Sequence, residues 1–153
     1  MSKSLCIIPA RGGSKRIPKK NIKDFNGKPI IVYSIETALN SCLFDEVMVS
    51  TDDNDIAKIA VDRGAKVPFF RSEQNSSDYA TIMDVVQEVL ACYKNQGEVY
   101  ESVCLIYPTA PFVNIEMLKL GYEKLKNVEA VLPVTDFSYP VWRSFNVKSG
   151  FLS

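Results

Sequence analysis

Arg11-Gly12-Gly13-Ser14-Lys15-Arg16 opens a loop in which Arg11, Lys15, Arg16, Lys19 and Lys20 stand beside two adjacent glycines. The chemistry this composition can do is anion binding. Arginine and lysine neutralise phosphate charge, arginine with a planar fork of donors. Glycine admits positive φ and lets backbone N–H groups come close to an anion. The loop follows an apolar run, Leu5 to Ile8, that stops at Pro9 and reads as a buried strand. A strand emptying into a cationic, glycine-bearing loop near the start of an α/β chain is the arrangement of a nucleotide-phosphate site. A solvated basic turn is the plainer alternative. The buried strand, the glycines and the local density of cations in a chain with 18 basic and 18 acidic residues weigh against it.

Several chemistries are excluded by residue type. A P-loop needs GxxxxGK followed by Ser or Thr, and Gly12-Gly13-Ser14-Lys15 has neither that order nor that spacing. A dinucleotide fingerprint needs GxGxxG opening a helix, which Pro18 would interrupt. The chain has no histidine, so Ser-His-Asp and Cys-His catalysis are ruled out. Cys6, Cys42, Cys92 and Cys104 have no CxxC spacing, which argues against zinc. All four fall in apolar patterns and are expected to be buried free thiols, in keeping with a reducing, cytoplasmic setting. Zero net charge argues against a nucleic-acid partner. No apolar run approaches the roughly 18 residues of a membrane span, and the N-terminus lacks a signal-peptide layout.

At 153 residues the chain is one domain by size. Strand and helix alternate along it. The pattern predicts strands at Ser4–Pro9, Glu46–Ser50, Lys66–Phe70, Ser102–Tyr107 and Ala130–Val134. Helical spacing joins Ile31, Ile35, Ala38, Leu39 and Cys42 after Pro29, which is expected at the first helical position. A second helix, capped by Asp52 or Asp53, carries Ile56, Ile59 and Ala60 and stops at Gly64. The clearest stripe is Ile82, Val85, Val86, Val89, Leu90 and Tyr93, ended by Gly97. Asn114 can cap a last helix with Ile115, Leu118, Tyr122 and Leu125. Arg71–Asp78 reads as a polar loop. The predicted fold is α/β: a three-layer, mostly parallel sheet with helices on both faces. Ligands of such sheets bind beyond the carboxyl ends of the strands. There the loops Arg11–Lys20, Thr51–Asp53, Arg71–Asp78 and Pro108–Phe112 are expected to converge.

The run Ile7 to Ile22 (IIPARGGSKRIPKKNI) resembles the N-terminal signature of the acylneuraminate cytidylyltransferases, which make CMP-activated nonulosonic acids such as sialic acid. The similarity continues through Asn26-Gly27-Lys28-Pro29, Leu43-Phe44-Asp45, Val49-Ser50-Thr51-Asp52, Gly64-Ala65 and Val67-Pro68-Phe69-Phe70-Arg71 to Tyr107-Pro108-Thr109-Ala110-Pro111. Tyr107, where the sialic acid enzymes usually have Gln, and Tyr139-Pro140-Val141-Trp142-Arg143 are more similar to the branch acting on pseudaminic acid. Sialic acid, legionaminic acid and the eight-carbon lipopolysaccharide sugar are the neighbouring alternatives.

The resemblance implies a nucleotide-diphospho-sugar transferase fold, Rossmann-like, and transfer of CMP from CTP to the anomeric hydroxyl of a nine-carbon sugar acid, with pyrophosphate leaving. By motif position Arg11 and Lys20 are the catalytic cations gripping the triphosphate. Pro9, Ala10, Gly12, Gly13, Ser14 and Lys15 complete that loop. Asn21 and Arg71 are placed on the cytosine and ribose side, Thr81 at a hydroxyl contact to the nucleotide, and Tyr107 and Thr109 at the sugar. Arg71 has an alternative as an ion-pair partner of Glu73, and Thr81 as a first-turn helix residue. Asp52 and Asp53 are open between a helix cap and a metal role. The resemblance also implies magnesium (Mg2+), whose carboxylate ligands in the family lie further along, so no metal ligand is named. It reads 1–153 as the N-terminal portion of one cytidylyltransferase domain with its C-terminal part missing. About 135–153 begins the extension through which full-length members form homodimers. Such a fragment could also bind nucleotide without turning it over.

Overall fold

The computed structural model describes residues 3–135 and, beyond them, two short strands, Val147–Lys148 and Phe151–Leu152. The expectation for Tyr139–Arg143 lies outside the described residues.

Strand β1 (Ser4–Pro9) is buried along its whole length. It is the middle of a three-stranded parallel sheet, flanked by β4 (Glu46–Ser50) and β5 (Ser102–Leu105). A strand with both faces covered reads as an unbroken apolar run, and Leu5-Cys6-Ile7-Ile8 is one. Side chains alternate between its two faces. Cys6 and Ile8 point to one side, against Ile31, Val32 and Ile35 of α1 (Ile30–Ser41) and Ile56 and Ala60 of α2 (Asn54–Asp62). Leu5 and Ile7 point to the other, against Val89 and Tyr93 of α4 (Ile82–Asn95). The three layers are therefore as expected. Helix α5 (Ile115–Leu125) adds Leu118 to the first face, and Asn114 caps it by accepting from the Met117 N–H at 2.9 Å.

Between β1 and α1 a hairpin, β2 (Asp24–Phe25) with β3 (Lys28–Pro29), turns through Asn26 and Gly27 at φ 51° and 90°. Asn-Gly suits this tight turn because both residues tolerate positive φ. Pro29 is the N-cap of α1 rather than its first helical residue.

Five further expectations are corrected. The strand at Lys66–Phe70 shrinks to one bridge, Met48 with Lys66, because Pro68 has no N–H to continue the ladder. Ala130–Val134 forms no strand. Pro133 interrupts it, and Leu132 and Val134 are 82% and 94% exposed. The loop Arg71–Asp78 contains a short helix, α3 (Glu73–Ser76), capped by the Ser72 hydroxyl. The fourth strand stops at Leu105. The cysteines are free, but only Cys6 is fully buried; Cys92 and Cys104 are half-buried and Cys42 is exposed. Cys42 lies one residue past the end of α1 with φ 55°, so the turn carries its thiol out of the apolar stripe.

Candidate functional site

Because β1 is central, its C-terminal end delivers the cationic loop to the middle of the sheet edge. Ala10, fully buried, continues the strand pairing by donating to the Ser50 carbonyl at 2.9 Å. The chain then turns outward. A cleft of about 630 Å³ opens there. Pro9, Arg11, Ser14, Lys15, Lys20 and Asn21 line it from the first loop. Arg71, Ser77 and Asp78 line it from the third, Thr81 from the start of α4, and Tyr107, Pro108 and Thr109 from the fourth.

The three remaining candidates of the first loop, Ala10, Gly12 and Gly13, are not on its wall. Neither glycine has positive φ, contrary to expectation. The Gly12 N–H is not free for a ligand either: it donates to Asp52 Oδ1 at 2.8 Å. What Gly12 supplies is closeness. A Cβ there would lie 2.6 Å from Asp53 Oδ2, whereas one at Gly13 would meet nothing within 4 Å. Gly12→Ala is accordingly expected to displace the loop and cost about 1–3 kcal/mol of stability, the scale of overpacking a close contact, while Gly13→Ala stays within about 0.5 kcal/mol of the parent. Urea unfolding of both variants checks this.

The second loop backs the cleft instead of lining it. Asp53 is the cap of α2, accepting from the Ile56 N–H at 3.0 Å, and Asp52 holds Gly12. Both carboxylates are thus engaged by backbone N–H groups. Among the described residues no group of three or more acidic, cysteine or histidine side chains is placed to hold a metal ion.

Asn21 sits in the turn Lys20–Ile22, entered through Lys19 at φ 50°. It is 4% exposed. Its amide nitrogen donates to the Arg11 carbonyl at 2.9 Å, which fixes the flip of the amide. Its Oδ1 is buried with no partner. A buried acceptor left unmatched beside a cleft is a place for a ligand N–H or O–H.

Arg71 is 8% exposed. It does not pair with Glu73. Its Nε donates to Ser50 Oγ at 3.0 Å and one terminal nitrogen donates to the Ser50 carbonyl at 2.5 Å. Burial holds its pKa below the ordinary arginine value, Asp52 and Glu88 acting against that and Arg11 with it. The guanidinium is thereby aimed along the sheet edge. Thr81 is the N-cap of α4 in a capping box with Asp84: its hydroxyl donates to Asp84 Oδ2 at 2.7 Å and accepts the Asp84 N–H at 3.2 Å. Thr81 is therefore the cap ahead of the first turn rather than a residue within it, and it also borders the cleft. Tyr107 is 56% exposed, with its carbonyl anchored by the buried Ser34 hydroxyl at 2.9 Å.

Three participants carried no signal in the sequence. Asp78 Oδ1 pairs with an Arg11 terminal nitrogen at 2.9 Å, and Asp78 Oδ2 with Lys15. The same Arg11 nitrogen donates to the Ser77 carbonyl at 2.9 Å. Hydrogen bonds from Lys15 and then Arg11 hold the Asp78 carboxyl below the ordinary carboxylate range. The tie is thus complete above that range and is lost as pH falls through the depressed value. Glu88 of α4 accepts from the Ser72 N–H at 2.9 Å and Asn75 Nδ2 at 2.8 Å, stapling α3 in place. Burial would raise its carboxyl, but those bonds outweigh it and the pKa is lowered. Among the described residues Arg16 and Lys20 have no ion-pair partner, whereas Lys19 pairs with Asp55 at 2.9 Å.

The chain was compared with known proteins. Residues 5–145 match the family model described as Cytidylyltransferase. Pseudaminic acid cytidylyltransferase of Campylobacter jejuni subsp. jejuni serotype O:2 is 52% identical over 94% of this chain and 62% of its own length. CMP-N,N'-diacetyllegionaminic acid synthase of Legionella pneumophila subsp. pneumophila is 39% identical over 86% and 58%. A solved structure, CMP:2-keto-3-deoxy-manno-octonic acid synthetase complexed with CTP, superposes with a TM-score of 0.70 at 25% identity, covering 85% of this chain and 50% of that one. The chain spans about three fifths of the length of the curated relatives it matches.

Proposed function

Because this chain belongs to the cytidylyltransferase family, we propose that the protein transfers CMP from CTP to the anomeric hydroxyl of a nine-carbon sugar acid, pseudaminic acid first, releasing pyrophosphate. The observation that carries this reading is the single cleft that joins Arg11, Lys15 and Lys20 to Asn21, Arg71, Tyr107 and Thr109. Relatives at 52% and 51% identity named for pseudaminic acid support the choice of sugar.

In this proposal the cations of the first loop receive the triphosphate. Lys20, like Arg16, lines the cleft and has no ion-pair partner among the described residues, so its charge is available to the triphosphate. As the sugar hydroxyl attacks the α-phosphate, charge builds on the leaving pyrophosphate, and fixed cations stabilise it without having to reorganise. Asn21 Oδ1 accepts from the base or ribose. Arg71, held by Ser50, sets the edge of that pocket. Thr81 borders the nucleotide, and Tyr107 and Thr109 contact the sugar. Magnesium belongs to the same proposal, its ligands lying outside the described residues, and no step above is assigned to it. So do a homodimer built through 135–153 and the residues beyond, and a cytoplasmic location. No helix among the described residues is long and apolar enough to cross a membrane.

The test is pyrophosphate release from CTP, with pseudaminic, legionaminic and sialic acids offered separately to the mass-verified chain and to a full-length version. Release with pseudaminic acid supports the reading. Release with sialic acid alone overturns the sugar, and binding of CTP without turnover by the chain assigns activity to the longer protein only. Tyr107→Gln is expected to change the ranking of sugars by about tenfold, on the scale of one gained or lost polar contact, while leaving CTP affinity within about twofold. An equal loss for every sugar together with weaker CTP binding would show that Tyr107 does not read the sugar.

A further inference from the structure

The anion between Arg11 and Lys15 belongs to the protein itself. Asp78 reaches both side chains, and the Ser77 carbonyl takes a further donor from the same Arg11 nitrogen. A phosphate can therefore engage these two cations fully only by removing Asp78. The segment that carries Asp78 lies at the surface. It bridges α3 and α4, its residues Ser77, Asp78 and Tyr79 are exposed, and Tyr79 is 95% so. The fixed parts of the cleft do not depend on it: Arg71 is held by Ser50, α3 by Glu88, and α4 by its own capping box.

We propose that Asp78 determines specificity at this site by standing in for the pyrophosphate portion of the nucleotide, competing with it for Arg11 and Lys15 and reclaiming them when pyrophosphate leaves. This rests on the nucleotide reading above. Asp78 lowers affinity for any ligand whose phosphates must lie between those cations, and it leaves unaffected a ligand whose single phosphate stays outside. The residue thus limits product inhibition by pyrophosphate at the expense of CTP affinity. Its carboxylate is exchanged for phosphate oxygens, and no bond is made or broken in the exchange.

The experiment is titration of inorganic pyrophosphate, CTP and CMP into the wild-type chain and its Asp78→Asn and Asp78→Ala variants at one ionic strength. Two exposed ion pairs are at stake, so pyrophosphate and CTP are expected to bind about fivefold or more tightly to both variants. CMP is expected to stay within about twofold. Unchanged or weaker pyrophosphate binding would overturn the proposal, as would equal tightening of CMP, which is the signature of a general field effect. Absence of pyrophosphate binding in all three proteins would also overturn it. If pyrophosphate binds and tightens in the variants while CTP does not bind to any of them, the Asp78 proposal stands and the cytidylyl-transfer reading fails.

Discussion

Alanine at Arg11 is expected to slow CMP transfer about 100-fold or more, the scale on which removal of one fixed donor to a developing oxyanion acts. Arg11 lines the cleft, is tied to the Ser77 carbonyl and Asp78 at 2.9 Å each, and supports no part of the apolar core. The loss should therefore appear in turnover while the urea midpoint stays where it was. Arg11→Lys keeps the charge but replaces the planar fork with a single ammonium, so an intermediate rate is expected. Lys20→Ala should behave like Arg11→Ala, and without disturbing Asp78, since Lys20 has no ion-pair partner among the described residues. Pyrophosphate release under saturating CTP measures all three. Near-normal rates in both alanine variants would remove the triphosphate from this loop.

The largest expected effect on stability is Ile8→Ala. Ile8 is fully buried in the central strand, packed among residues of α1 and α2 on one face of the sheet. Deleting most of a side chain there removes buried apolar surface and leaves a cavity that two helices and two neighbouring strands surround. The expected cost is about 2–5 kcal/mol, a large part of the roughly 5–15 kcal/mol that holds a domain of this kind folded. Urea unfolding followed by circular dichroism reads it as a lower midpoint at unchanged slope. A cost below about 1 kcal/mol would mean that this face of the sheet is loosely packed.

What the sequence made legible follows from the length scale of each signal. β1 and α4 were plain because an unbroken apolar run and a six-residue stripe are local patterns. The strand expected at Lys66–Phe70 failed on one residue, Pro68, whose missing N–H outweighs the apolar character of its neighbours. Ala130–Val134 failed the same way at Pro133. Helix α3 is too short to show a period, although Ser72 before Glu73 is a cap signal. The hairpin at Asn26-Gly27 has a local turn signal of its own, since both residues tolerate positive φ. The cationic side chains of the first loop were readable by type. The use of Gly12, however, depends on the close approach of Asp53, a side chain from another loop. Asp78 meets Lys15 across 63 residues, a pairing that no local pattern announces. Resemblance supplied Asn21 and Arg71 as candidates; the unpartnered Oδ1 and the grip of Ser50 became visible only once the chain was folded.

The two walls of the cleft differ in how they are attached. One is continuous with β1 and pinned by Ala10, Asn21 and Arg71, so it opens only when the sheet itself does. The other, Ser77 and Asp78, rests on exposed contacts and can open by a local fluctuation that leaves the core intact. The site can therefore exchange its contents on the fast timescale of a surface loop while keeping the geometry of its base on the slow timescale of global unfolding. Stability and access are thereby decoupled, and a substitution that stiffens the core has no reason to slow exchange at the cleft.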